Sequence, residues 1–147
     1  MPSPILEFRR ILATTIAEAQ LSQRVDVVED ILPAIEVKDL SGIRVTVVAS
    51  ADDTTLLDRS GSAQHDYAYD LGVQAKLPAG NITTRERLAT CDPLITLCAE
   101  ISELLLKLEL DDALVVSASI KTLYVPEHLA QLNVFTSVLT VVVRSLS

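Results

Sequence analysis

From His65 the chain alternates: Tyr67, Tyr69, Leu71, Val73, Ala75 and Leu77 fall on one side of an extended strand, and Asp66, Asp70, Gln74 and Lys76 fall on the other with Ala68 and Gly72. Successive strand side chains point to opposite faces, so this pattern requires a sheet with one face buried and one solvated. An antiparallel sheet with helices on one face meets that requirement. A second run, Phe135-Thr136-Ser137-Val138-Leu139-Thr140-Val141-Val142-Val143-Arg144, is dense in β-branched residues and carries no catalytic group. It reads as a strand used for packing and association.

Two helices are expected to cover that sheet. Ser3 followed by Pro4 is an N-cap with proline at the first helical position, and Ile5, Phe8, Leu12, Ile16 and Ala19 recur at helical spacing, predicting a helix over 4–21. Asp92-Pro93 repeats the logic and opens a helix over 92–110, which Asp111-Asp112 ends. Its apolar stripe is Leu94, Leu97, Cys98, Ile101, Leu104, Leu105 and Leu108, so Ile101 and Leu105 should be buried, with Glu100 and Glu103 on a solvated side. Residues 24–32 read as extended, with Pro33 marking an edge or a strand end. Ile35-Glu36-Val37 and 43–48 flank the turn chemistry of Asp39-Leu40-Ser41-Gly42 and predict a hairpin. Strands over 113–124 and 133–145, joined by a turn at 126–129, complete the order α-β-β-β-α-β-β. The expected fold is one α+β domain over 1–147, with a single mostly antiparallel sheet and two helices packed on one face.

A chain of 147 residues buries a core without metals or staples. With three tyrosines, two phenylalanines and no tryptophan, that core is aliphatic, which suits helix-on-sheet packing better than a base-stacking platform. Twenty acids against twelve bases give a formal charge of −8 with no basic patch, and this disfavours sequence-specific nucleic-acid binding. Cys91 and Cys98 lie seven apart, about 10 Å along one helix, whereas a disulfide needs Cα atoms within roughly 7 Å. Both are expected reduced and packed, as in a reducing cytoplasm. The charged, amphipathic start lacks a signal-peptide apolar region, and no uncharged run is long enough for a membrane span, so a soluble protein is expected.

No constellation points to catalysis, and no enzyme is expected. His65 falls on a strand and His128 in a turn, with no nucleophile elbow or Cys-His signature. Cys91, read as a helix start, would have a lowered pKa there, although a packed thiol is the default. The four glycines are too scattered for a phosphate loop. Asp52, Asp53, Asp58, Asp66 and Asp70 with His65 are the densest metal-capable set, but calcium-loop spacing is absent, so the expected reading is a solvated acidic loop. No metal or cofactor is expected.

Residues 51–63 have no period and are rich in turn formers, predicting a long loop, which is uncommon in a compact domain unless it has a task or is disordered. Asp52, Asp53, Leu56, Leu57, Asp58 and Arg59 are the candidate interface residues. Two readings stay open: an arm that becomes ordered against a neighbouring subunit or a tube, or a mobile loop whose leucines tuck against their own domain.

Two segments resemble small structural proteins of tailed bacteriophages: Asp66-Tyr67-Ala68-Tyr69-Asp70-Leu71-Gly72-Val73-Gln74-Ala75-Lys76, and the ending from Tyr124-Val125-Pro126-Glu127-His128-Leu129 to Arg144. With the Asp39-Leu40 hairpin they cover about half of the chain. The family they resemble is the tail-completion or tail-terminator group of long-tailed phages. The resemblance implies an antiparallel sheet flanked by helices and a ring, usually a homohexamer, at the head-proximal end of the tail tube. It also implies that the ring ends tube polymerisation and offers a docking face to the neck. The implied partners are the chain itself, the tail tube protein and a head-completion or connector protein. The resemblance implies that genome DNA passes only through the lumen, and an acidic lumen would repel it over about 8–10 Å. The resemblance also implies no membrane partner and a place in the virion neck, assembled in the host cytoplasm. A head-completion or connector role in the same neck is the neighbouring alternative, and a small-molecule-binding α+β module the more distant one.

Overall fold

In a computed structural model, residues 3–31, 40–78 and 83–146 are described, and among them one sheet carries two long helices on one face. Helix α1 spans Pro4–Glu18, strand β1 Val25–Glu29, β2 Ile43–Leu56 and β3 Ala63–Lys76. Helix α2 spans Thr84–Leu106, β4 Glu109–Leu110, β5 Ala113–Thr122 and β6 Val134–Leu146, with a π-helical turn at His128–Leu132. The strands lie in the order β1-β2-β3-β6-β5-β4. Among the described residues no helix is long and apolar enough to cross a membrane.

The alternation that begins at His65 is realised in β3, the strand between β2 and β6. Tyr67, Tyr69, Leu71, Val73, Ala75 and, just beyond the strand, Leu77 are all buried. They meet Leu12 and Ile16 of α1 and Leu94, Leu97, Ile101 and Leu105 of α2 in one apolar cluster. β3 and β6 pair antiparallel along their whole length, from Gln64 opposite Leu146 to Lys76 opposite Val134. The alternating face of β3 and the Phe135, Leu139, Val141 and Val143 side of β6 therefore build a single apolar wall, and the helix stripes close over it.

Several expectations need correction. The sheet is mixed, because β1 runs parallel to β2 while the other pairings are antiparallel. The predicted hairpin partner Ile35-Glu36-Val37 lies outside the described residues, and β2 at Ile43–Val47 is flanked by β1 and β3. Helix α1 ends at Glu18 rather than 21, since Ala19 turns extended at φ −74°, ψ 149°. The following Ser22 donates through its N–H and hydroxyl to Glu100 at 3.1 and 2.5 Å, so that carboxylate ties the α1–β1 connection to α2.

Helix α2 begins eight residues before the predicted start and ends at Leu106. Its true cap is Thr83, whose hydroxyl accepts from the Glu86 N–H at 3.1 Å and donates to the Glu86 carboxylate at 3.2 Å. Pro93 sits inside the helix, where its missing N–H leaves the Ala89 carbonyl without an intrahelical donor. Asp111-Asp112 makes the tight turn from β4 to β5, with Asp112 in the left-handed region at φ 58°. The short β4 extends the predicted order by one strand.

Candidate functional site

Residues 51–63 form the end of a β-hairpin and not a loop. Ala51–Leu56 continue β2, only 57–62 turn, and Ala63 starts β3. Local chemistry builds the turn: the Asp58 carboxylate accepts from the Ser60 N–H at 2.9 Å and the Ser60 hydroxyl at 2.5 Å, and Leu57 donates to the Ser62 carbonyl at 2.8 Å. Gly61 takes φ 95°, a conformation that side-chain-bearing residues adopt at a cost. The bonds from Ser60 hold the Asp58 carboxyl below its ordinary range.

A bulge at Ser50, between Ala49 and Ala51, shifts the parity of β2. Beyond it Asp52, Thr54 and Leu56 share the helix-side face with Tyr67, His65 and Ala63, while Ala51, Asp53 and Thr55 share the other. Residues 51–61 are all exposed, so neither face is covered at this end. Leu56 is 68% exposed and Leu57 51%, which rules out leucines tucked against their own domain. All six candidate residues are thus gathered on one structured hairpin tip: Asp52, Asp53 and Leu56 on the strand, Leu57, Asp58 and Arg59 in the turn.

Polar groups lock the base of that tip. Thr54 Oγ1 lies 2.9 Å from His65 Nδ1 and donates to Asp52 Oδ1 at 3.1 Å, and the His65 ring stacks on Tyr67 at 5.6 Å between centroids. Of the acidic set, Asp52 and His65 are brought together, Asp66 is occupied by Arg144 and Asp70 accepts from Thr140 at 3.2 Å. Among the described residues no group of three or more His, Cys, Asp and Glu side chains is placed to hold a metal.

The sheet face away from the helices is not solvated throughout, contrary to expectation, because Thr46, Gln74 and Thr136 are buried on it, and further along it carries Asp66, Asp70 and Arg144 among small and β-branched side chains. Ala68, Val138 and Val142 are half-buried there, Ser117 and Ser119 exposed, and near the hairpin end Leu114 and Leu146 are 61% and 63% exposed. Along the edge of β5, β4 pairs only with Ala113 and Leu114. From Val115 to Thr122 the outer edge has no strand neighbour among the described residues, and register shifts at Val116 and Lys121 interrupt it.

At the opposite end, an apolar groove of about 360 Å³ lies between the first half of α2 and the β5–β6 connection. Leu88, Ile95, Tyr124, Pro126, Leu129 and Ala130 line it. Sequence reasoning missed this groove because it started α2 at 92. The Thr83-x-x-Glu86 signature was the available signal, and it would have put Leu88, Cys91 and Ile95 on one helix face.

Both cysteines are unpaired with each other and buried on α2. Cys91 is the eighth residue of the helix and not at its start, and burial, with Asp92 adding to it, pushes its thiol pKa up. Burial also raises Cys98, against which the Ser137 hydroxyl acts in the lowering direction. A raised pKa is the reverse of what an attacking thiolate requires. His128 Nδ1 is engaged at 2.8 Å with Thr136 Oγ1. Among the described residues the exposed features are a hairpin tip with Leu56 and Leu57 beside Asp52, Asp53, Asp58 and Arg59, the outer edge of β5, a sheet face without helices and the α2 groove. No protein-family model matches the chain, and no match to it is found among curated proteins.

Proposed function

We propose that this chain is a non-enzymatic virion subunit that forms a ring at the head-proximal end of a long phage tail, capping the tube and joining it to the neck. The observation that carries the reading is the hairpin tip, a structured projection with Leu56 and Leu57 in solvent at its apex. Two adjacent exposed leucines on a turn held by Asp58 support a role as a contact surface. The resemblance supports the particular role. Its two segments, 66–76 and 124–144, become the paired strands β3 and β6 with the connection leading into β6. The acidic charge of −8 is compatible with a lumen that lets genome DNA pass. The partners under this reading are further copies of the chain, probed first as a homohexamer, the tail tube protein and a head-completion or connector protein. Assembly takes place in the host cytoplasm.

The α2 groove favours a second reading, a small-molecule-binding module, because its volume falls in the range of ligand pockets. Mass photometry and negative-stain imaging of the purified chain, alone and mixed with tail tubes, separate the two. Closed rings and capped tubes are the expected result. A strictly monomeric protein that ignores tubes and binds a small apolar ligand overturns the ring reading.

A further inference from the structure

The sheet face away from the helices holds hydrogen-bonding groups whose demand the described residues do not meet. Strand register sets Asp26, Arg44, Gln74 and Thr136 side by side in one row, on β1, β2, β3 and β6. Thr46 stands two residues beyond Arg44 on the same face, opposite Gly72, which contributes no side chain. At the β6 end of the row Thr136 Oγ1 is engaged twice, with Gln74 Nε2 at 3.5 Å and with His128 Nδ1 at 2.8 Å. The β2 end differs. There the Arg44 Nε is shielded from solvent without a hydrogen-bond partner, and so is the hydroxyl of Thr46, a residue 0% exposed.

Orphaned groups of this kind are unfavourable until something bonds to them. A guanidinium has N–H donors and no acceptor, whereas a hydroxyl can donate or accept. The two could serve one another but do not, since neither atom has a partner. We infer that Arg44 and Thr46 form a subsite for an oxyanion, a carboxylate or phosphate group whose oxygens take the guanidinium fork and the hydroxyl together. A planar fork fits two oxygens of such a group. Strand residues two apart on one face stand about 7 Å from each other, comparable to one oxyanion with a hydrogen bond on each side. This subsite needs no neighbouring copy, so it holds or fails apart from the ring.

No charge already on this face fills the role. Arg9 and Arg144 each have a carboxylate oxygen at 2.9 Å, from Glu29 and Asp66, while Arg44 forms no ion pair among the described residues. Asp26 lies opposite Arg44 in register, yet it is exposed and makes no bond to it. Asp70 is engaged by Thr140 at 3.2 Å. Glu127 is exposed beside His128, at the other end of the row, and Lys76, exposed two residues on from Gln74, adds positive charge on β3. The chain as a whole carries −8, so preference for an anion comes from the two orphaned groups and not from the field of the molecule.

Thermal melts of the full chain in rising sodium phosphate, and separately in sodium acetate, against sodium chloride of equal ionic strength test the subsite. The expected result is a saturable rise of the midpoint above the chloride control, with the Arg44 Nε–H resonance shifting over the same concentrations. The anion that saturates at the lower concentration assigns the class, phosphate or carboxylate. Arg44→Met should abolish the saturable rise and Arg44→Lys should weaken it. Thr46→Val should raise the apparent dissociation constant roughly tenfold, as for one lost hydrogen bond to a charged group. In chloride alone Arg44→Met should melt no lower than the parent, because no partner is lost, and circular dichroism confirms the fold of each variant. Equal midpoints in the three salts with an unmoved Nε–H resonance, or a saturable rise that survives Arg44→Met, overturn the subsite. A markedly lower midpoint of Arg44→Met in chloride also overturns it, by giving Arg44 a counter-charge within the chain.

Discussion

Asp66 and Arg144 face each other across β3 and β6, with the guanidinium straddling the carboxylate at 2.9 and 3.1 Å. The Arg144 hydrogen bond holds the Asp66 carboxyl below its ordinary range, and the same bond raises Arg144. A carboxylate whose folded pKa is depressed contributes stability above its unfolded value, and that contribution is lost as pH falls through the folded value. Asp66→Asn should therefore lower the urea midpoint slightly at neutral pH. The difference from the parent should vanish once the pH is well below the carboxylate range. A difference that persists in acid would assign the effect to packing.

Tyr69 and Ile101 separate polar from apolar contributions to the core. The Tyr69 hydroxyl donates to the Ile5 carbonyl at 2.6 Å, and burial raises its pKa. Tyr69→Phe should cost about 0.5–1.5 kcal/mol, the net worth of one hydrogen bond. Ile101→Ala, at a fully buried site, should cost about 2–5 kcal/mol. Equilibrium denaturation of both variants checks the ordering.

The cap at Thr83 governs the part of α2 that precedes Pro93. Thr83→Ala should cost about 0.5–2 kcal/mol, and the loss should be local. Amide exchange ought to quicken from Thr84 to Asp92 while residues 94–106 stay protected, because the second half is anchored by Leu97, Ile101 and Leu105.

Joint replacement of Leu56 and Leu57 by serine should change stability by no more than about 0.5 kcal/mol, as expected for exposed positions. Assembly should weaken sharply. Sedimentation reads the assembly and circular dichroism the fold; unchanged sedimentation would leave the tip without a role.

Gly61→Ala should cost about 1–2 kcal/mol through its left-handed backbone alone, since a Cβ there meets nothing within 4 Å. Nuclear magnetic resonance shifts should change from 57 to 62 and leave the core untouched.

β6 was legible by its density of β-branched residues, and the buried face of β3 was legible because burial writes itself as period 2 from Tyr67 to Leu77. The stripe from Leu94 to Leu105 was legible for the same reason at helical period. The hairpin end was not: its side chains are exposed on both faces, so nothing selects apolar residues at alternate positions, and Asp and Thr look like turn formers. The Ser50 bulge further reverses which residues face the helices, from Val45 and Val47 before it to Asp52 and Thr54 after it. Asp92-Pro93 imitates a helix start so closely that it masked the real cap at Thr83. The parallel pairing of β1 with β2 depends on long-range register, which no local pattern encodes.

That single extra residue at Ser50 also separates aim from anchorage. A bulge adds local twist and bend without disturbing the pairing on either side of it, and here Val45 and Val47 lie on one side of it and the whole tip on the other. Removing Ser50 would straighten β2 and swing the apex, yet each tip residue would keep its β3 partner and every core valine its place. Lengthening or shortening the hairpin beyond the bulge would alter reach in the same independent way. The fold thus sets the aim of the tip at one joint and its anchorage at the wall behind it.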